Sequence, residues 1–218
     1  MVGTSGMDDA LPPLSKTEYV VKRLRADIES GQITPGELLK QTVIAKRYGV
    51  SATPVREALR LLEADHTIQY STHRGATVRE MPPSEVTNYY RLRSVVEGLA
   101  TELAVPRMTP AKLDEIGAIH EKIRTLSKKG KPTELSALNM QLHFAIYEVG
   151  SSMVTDQARG LWKFIPPNIT LWKDPTNAGR LIHDHEEILA AVNAGDAEAA
   201  RDHMARHIMN AARMRRAV

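Results

Sequence analysis

A chain of 218 residues is long for one small domain and comfortable for two, one of about 70 residues and one of about 130. With 42% hydrophobic and 25% charged residues it falls in the ordinary globular range, which excludes a wholly disordered protein; only residues 1–15 read as a flexible tail. Zero cysteines exclude disulfide scaffolds, thiolate metal sites and cysteine nucleophiles together, so any metal must be held by histidine, carboxylate or amide groups.

No apolar run approaches the roughly 18 residues of a membrane span, and the N-terminus lacks a basic-then-apolar leader, so a cytoplasmic protein is expected. The net charge of +3 suits a nucleic-acid partner without demanding one. Residues 16–80 carry 11 basic and 8 acidic side chains against 18 and 16 in the longer stretch 81–218, so positive density is higher in the first part.

In chain order, Val20, Leu24 and Ile28 recur every four residues and predict a first helix, stopped by Gly31 and Pro35. Ile44, Ala45 and Tyr48 predict a short second helix over 41–48, with Gly49 where a left-handed residue closes it. Val55, Ala58, Leu59 and Leu62 predict a third to about Ala64, with Pro54 in its first turn. Residues 68–70 and 76–78 are β-compatible pieces around the tip Thr72-His73-Arg74-Gly75. Three helices and a hairpin make a winged helix-turn-helix over 16–80.

Met81-Pro82-Pro83-Ser84 breaks the pattern and reads as a linker over 81–84, with Ser84 placed to cap the next helix. From 84 to 218 the chain predicts an all-α antiparallel bundle, with helices at about 84–105, 109–128, 132–149, 152–165, 178–194 and 196–215. The fold class expected is mainly α.

A helix-turn-helix needs a third helix that keeps an apolar stripe on the body and sends donors from the other face into the major groove. Thr53, Arg56, Glu57 and Arg60 lie opposite the stripe, and Ser51 stands in the tight turn ahead of it. Arg56 and Arg60, one turn apart, suit a base edge and a phosphate; Arg74 beside Gly75 suits a wing-tip contact with groove or backbone. Taken alone, such arginines also fit a solvated helix paired to Glu57 or Glu63.

Gly36, Leu39, Ala45, the runs Gly49-Val50-Ser51 and Thr53-Pro54-Val55-Arg56-Glu57-Ala58-Leu59, then Leu62, Gly75 and Val78, resemble the GntR family of regulators over 17–79. The resemblance implies operator contacts from Thr53, Arg56 and the wing. Ala52 stands where the family commonly has arginine, and Asp65-His66-Thr67 replaces the usual Glu-Gly-Leu.

Beyond the linker, Arg93, Glu97, Ala100 and Leu103-Ala104 resemble the opening helix of the FadR-type C-terminal (FCD) domain. Asn139 and His143, then His185-Glu186-Glu187-Ile188 through Gly195-Asp196 to His207, continue that order. Many members hold a divalent metal with a carboxylate and three histidines. Carried over, the histidines are His143, His185 and His207, and Asn139 stands at the carboxylate position, an amide oxygen without charge. The set suits zinc or nickel with a position open to an incoming carboxylate.

Arg93 is either a fork for an effector carboxylate or an internal partner of Glu97. His66, His73, His120, His183 and His203 match nothing and are expected at the surface. The function expected is a homodimeric, double-stranded operator DNA-binding transcription regulator, not an enzyme, controlled by a small carboxylate or sugar-acid effector, with two-fold symmetry matched to a pseudo-palindrome. The alternatives are a metal-dependent hydrolase built on His183-Asp184-His185 with Glu186 or Glu187 as base, and a purely structural DNA-binding protein. The first leaves the winged-helix pattern idle, and the second leaves the size and histidines of the helical domain unexplained.

Overall fold

The computed structural model describes residues 14–29, 31–71, 75–163 and 169–216. The wing-tip residues Thr72, His73 and Arg74 lie outside the described residues, as does the C-terminal end of the helix expected over 152–165.

The first unit contains α1 (Lys16–Glu29), α2 (Gln41–Tyr48), α3 (Ala52–Ala64) and an antiparallel hairpin of β1 (Ile68–Ser71) and β2 (Gly75–Val78). Ile68 stands opposite Val78, and Ser71 opposite Gly75. The predicted stripes meet in one core: Val20 and Leu24 from α1, Ile44 and Tyr48 from α2, Val55, Leu59 and Leu62 from α3, and Ile68 and Val78 from the hairpin. Apolar burial at helical spacing therefore orients all three helices.

Polar contacts fix the details. Tyr48 donates to the buried Asp27 at 2.7 Å while Arg47 pairs with the same carboxylate at 3.0 Å, locking α2 to α1. Ahead of α2, Leu39 N–H donates to Ala76 and Val78 N–H to Glu37, so the connection adds an extended edge to the wing. Gly49 ends α2 at φ +66°, as expected, and turns the chain into α3. His66 takes φ +64° in the turn after α3, a left-handed conformation costly for a side chain with a Cβ.

The second unit comprises α4 (Pro83–Ala104), α5 (Pro110–Ser127), α6 (Pro132–Tyr147), α7 (Ser152–Trp162), α8 (Ile169–Lys173), α9 (Pro175–Ala194) and α10 (Ala197–Arg216), with a 3₁₀ turn at Val105–Arg107. Its core is separate from the first and includes Tyr90, Ile116, Ile123, Leu142, Ile146, Tyr147, Leu181, Ile188, Met204 and Ile208. α10 lies along α4 and α9, α5 against α6 and α9, and α4 also touches α6 and α7. Gly150 lets the turn between α6 and α7 approach the end of α4; a Cβ there would sit 3.0 Å from the Ala104 nitrogen.

Two boundaries differ from expectation because in each a proline begins the helix ahead of the expected start. Pro83 opens α4 one residue before Ser84, so Ser84 is no cap. Pro175 opens α9 three residues before the expected start, where its missing N–H is harmless and Asp174 accepts from the Thr176 and Asn177 amides. The five-residue α8 was not anticipated, being too short to show a period.

Candidate functional site

Two constellations stand out, one in each unit. On α3 the apolar face is buried through Val55, Ala58, Leu59 and Leu62, leaving Thr53, Arg56, Glu57 and Arg60 exposed, with Ser51 exposed at the start. Glu57 accepts from Thr17 on α1 at 3.1 Å. Among the described residues Arg56 and Arg60 have no acidic partner, so the helix presents two unpaired guanidinium groups on its solvent face. Gly75, exposed at φ +78°, begins the return strand of the wing. Arg74 lies outside the described residues.

The second constellation is interior. His143 on α6, His185 on α9 and His207 on α10 are 1%, 1% and 3% exposed, and one ring nitrogen from each lies within 4.8 Å of the others. His143 Nε2, both nitrogens of His185 and Asn139 Oδ1 are buried without a hydrogen-bond partner. Asn139 lies one turn before His143 and, with Arg93, His143 and His207, lines a cavity of about 20 Å³, room for about one water or ion.

Each ring is held from behind, save that of His185. His143 Nδ1 meets Tyr147 OH at 2.8 Å, and Tyr147 donates onward to Glu97 Oε2 at 2.7 Å. Trp162 Nε1 donates to the same oxygen at 2.9 Å, and Arg93 Nε to Glu97 Oε1 at 2.5 Å. His207 Nδ1 meets Asp184 Oδ2 at 3.3 Å, and Asn210 donates to both Asp184 oxygens. With Nδ1 engaged, His143 presents its Nε2 lone pair to the centre.

Burial pushes the His143 imidazole down to about 4, against the opposing hydrogen bond to Glu97, and pushes His185 well below its ordinary value. Burial alone would raise Glu97, but the Arg93 guanidinium and the hydrogen bonds to His143 and Arg93 hold it well below the usual carboxylate range. At neutral pH His143 and His185 are therefore uncharged donors, while Glu97 keeps its charge.

Of the predicted cluster, His143, His185 and His207 come together, and Asn139 lines a cavity with His143 and His207. Arg93 also lines the cavity, but its guanidinium is bound to Glu97 and stacks 4.6 Å from the Trp162 ring centroid, so it is a buried ion-pair partner and not an unengaged fork. His120, expected at the surface, is 7% exposed, its ring 6.0 Å from that of His185, because Ile116, Ile119 and Ile123 place its face of α5 inward. His203 is half-buried beside Glu187 and Arg206, while His183 and His66 are exposed as expected; His73 lies outside the described residues.

Tyr147, Trp162 and Asp184 were not anticipated as partners of the cluster. The spacing of four between His143 and Tyr147 was the one available signal, since the other contacts join distant helices. The hydrolase arrangement does not form: His183 is 71% exposed while His185 is buried, and Glu186 and Glu187 engage surface cations.

The comparisons with known proteins agree with both units. Residues 16–78 match the gntR family of bacterial regulatory proteins, and residues 88–210 match the FCD domain. The chain belongs to the GntR family, with an FCD domain as its C-terminal part. It is similar to the HTH-type transcriptional regulator McbR of Escherichia coli, with 28% identity over 86% of this chain and 87% of that one. It also resembles the gluconate operon transcriptional repressor of Bacillus subtilis, with 24% identity over 81% and 75% of the two chains.

Among solved structures, E. coli McbR/YncC superposes with a TM-score of 0.77 at 27% identity, covering 94% of this chain and 99% of that one. A GntR regulator from Rhodococcus sp. RHA1 shares the fold with a TM-score of 0.73 at 22% identity over 94% and 100% of the chains. These proteins are regulators, and this chain is a transcriptional regulator, not an enzyme. No helix among the described residues is long and apolar enough to cross a membrane.

Proposed function

We propose that the protein is a homodimeric regulator whose operator affinity is set by a divalent metal, zinc or nickel, and a small carboxylate bound in the C-terminal domain. One observation carries this reading: three buried histidines direct ring nitrogens at one point, and buried donors without partners surround it. A buried polar atom without a partner costs on the order of 1–3 kcal/mol, so several in one place call for an ion or ligand.

The donor set fits. Imidazoles that stay neutral to about pH 4 at His143 suit zinc or nickel, and the amide oxygen of Asn139 supplies a weak fourth donor. When bound, a dication supplies a positive centre that attracts a carboxylate. Arg93, whose charge Glu97 balances, lines the same cavity and can offer it N–H donors. A cavity of about 20 Å³ is too small for a sugar acid, so ligand entry requires the wall formed by Trp162, Leu171 and Trp172 to move. A ligand that selects the opened arrangement shifts the population toward it.

α4 offers the route to DNA. It carries Arg93 and Glu97, its Glu97 binds Tyr147 of α6 and Trp162 of α7, and it begins only five residues after the wing strand β2 ends. Moving the histidine cluster therefore pulls on the helix that follows the wing.

Dimerisation is supported by the outer face of α4, where Leu92, Val95, Leu99 and Leu103 are exposed at helical spacing. The stripe is nearly symmetric about its centre, so an antiparallel copy would set Leu92 against Leu103 and Val95 against Leu99. It would also bring Arg91 near Glu102 of the other copy.

The experiment is metal analysis of tag-free protein, followed by a thermal-shift series of small carboxylates and sugar acids with and without metal. Expected are one bound ion per chain and acid stabilisation that needs it. No ion and no metal-induced stabilisation would end the metal reading.

A further inference from the structure

A second cavity, of about 360 Å³, opens between α9 and α10 and is lined by Asn177, Arg180, His183, Asp184, Asn210 and Arg213. Most of these side chains are hydrogen-bond donors. Arg180 has no acidic partner among the described residues, and Arg213 donates to Asn210 Oδ1 at 3.1 Å and to no carboxylate among them. Elsewhere on this unit Arg124, Arg159, Arg201 and Arg206 each hold a carboxylate.

The one acid in the cleft is already engaged. Asp184 is 8% exposed, accepts from Asn210 Nδ2 at 3.1 and 3.2 Å, and meets His207 Nδ1 at 3.3 Å. The cleft is thus a cationic pocket facing solvent, and its floor is the carboxylate that backs one member of the histidine cluster.

We propose that this cleft binds a small anion carrying carboxylate or phosphate groups, gripped between Arg180 and Arg213 and communicating with His207 through Asp184. The volume is that of a small-molecule site. Guanidinium groups on two facing helices suit a ligand with several anionic oxygens, which each fork can take in pairs. An anion that draws Arg213 away from Asn210 alters the amide that holds Asp184, and Asp184 in turn orients His207. The cleft lies outside the cavity at Arg93, and its ligand requires no metal.

The test uses full-length, chelator-treated protein, so that it stands or falls independently of the metal reading. Succinate and inorganic phosphate are titrated separately while backbone amide NMR signals of residues 177–184 and 210–214 and the ring signals of His207 are followed. Expected is saturable binding of at least one of them, with the His207 ring moving along the same isotherm. Arg180→Gln and Arg213→Gln should each raise the apparent Kd by at least tenfold with helicity unchanged, and Arg159→Gln, on the surface of α7, should leave it unaltered. If neither anion saturates these signals, or if binding survives in the double arginine variant, the site is overturned. Binding without a response at His207 would overturn the link to the cluster.

Discussion

At the residue scale, Asn139 is the residue on which the strength of the proposed metal site turns. Its Oδ1 is buried without a partner in the cavity lined by His143 and His207, so it brings a dipole where a carboxylate would bring a full charge. Asn139→Asp should tighten metal binding by on the order of tenfold or more, because a buried unit charge a few ångströms from a dication is worth several kcal/mol even at high effective dielectric. Competition titration against a chelating dye measures this; unchanged affinity would place residue 139 outside the coordination sphere. Arg56, exposed and without an acidic partner among the described residues, should lose about 1–3 kcal/mol of specific operator affinity on Arg56→Ala, read by anisotropy at fixed salt. His66, held at φ +64°, predicts that His66→Gly stabilises the first unit by about 1 kcal/mol in urea titration.

At the element scale, legibility followed periodicity. The stripes of α1 and α3 were plain in the sequence because apolar residues recur at helical spacing and are buried, and Gly49 marked its own turn. Pro83 and Pro175 misled because proline punctuates both ends of helices, and only the cap at Asp174 distinguishes a start from a stop. His143, His185 and His207 were legible through resemblance alone; residues 42 and 22 positions apart carry no local signal that they meet.

The same burial gives α6 and α9 a pH dependence. Unfolded histidine titrates near 6.5, but His143 in the fold titrates near 4 and His185 well below its ordinary value. Between about pH 6.5 and 4 the unfolded chain therefore binds more protons, and stability falls as pH falls through that window, being fully present above it. Chelator-treated protein should show this decline in its thermal midpoint, and His143→Gln should make it shallower; a flat profile would contradict burial of neutral imidazoles. On α4, the proposed dimer predicts that wild type sediments as a dimer and Val95→Glu as a monomer at micromolar concentration, since Val95 is 68% exposed at the centre of the apolar stripe.

At the scale of the whole molecule, Glu97 is where the proposed sensing site meets the helix that follows the wing. One buried carboxylate on α4 takes hydrogen bonds from Arg93, Tyr147 and Trp162 and lies 3.4 Å from His143, so three helices share it. In the proposed control, a change at the histidines would reach α4 by way of Tyr147, and α4 follows the wing directly. Such coupling requires two arrangements that ligand and DNA favour unequally, and by linkage each must change the affinity for the other by one common factor. The most direct measurement is anisotropy titration of a DNA site selected by the protein from a random pool, comparing metal-loaded, chelator-treated and His185→Ala protein. Metal loading should change operator affinity by at least about fivefold in wild type, and His185→Ala should match the chelator-treated protein with or without metal. Identical affinity in all three would contradict control of the operator by the histidine site.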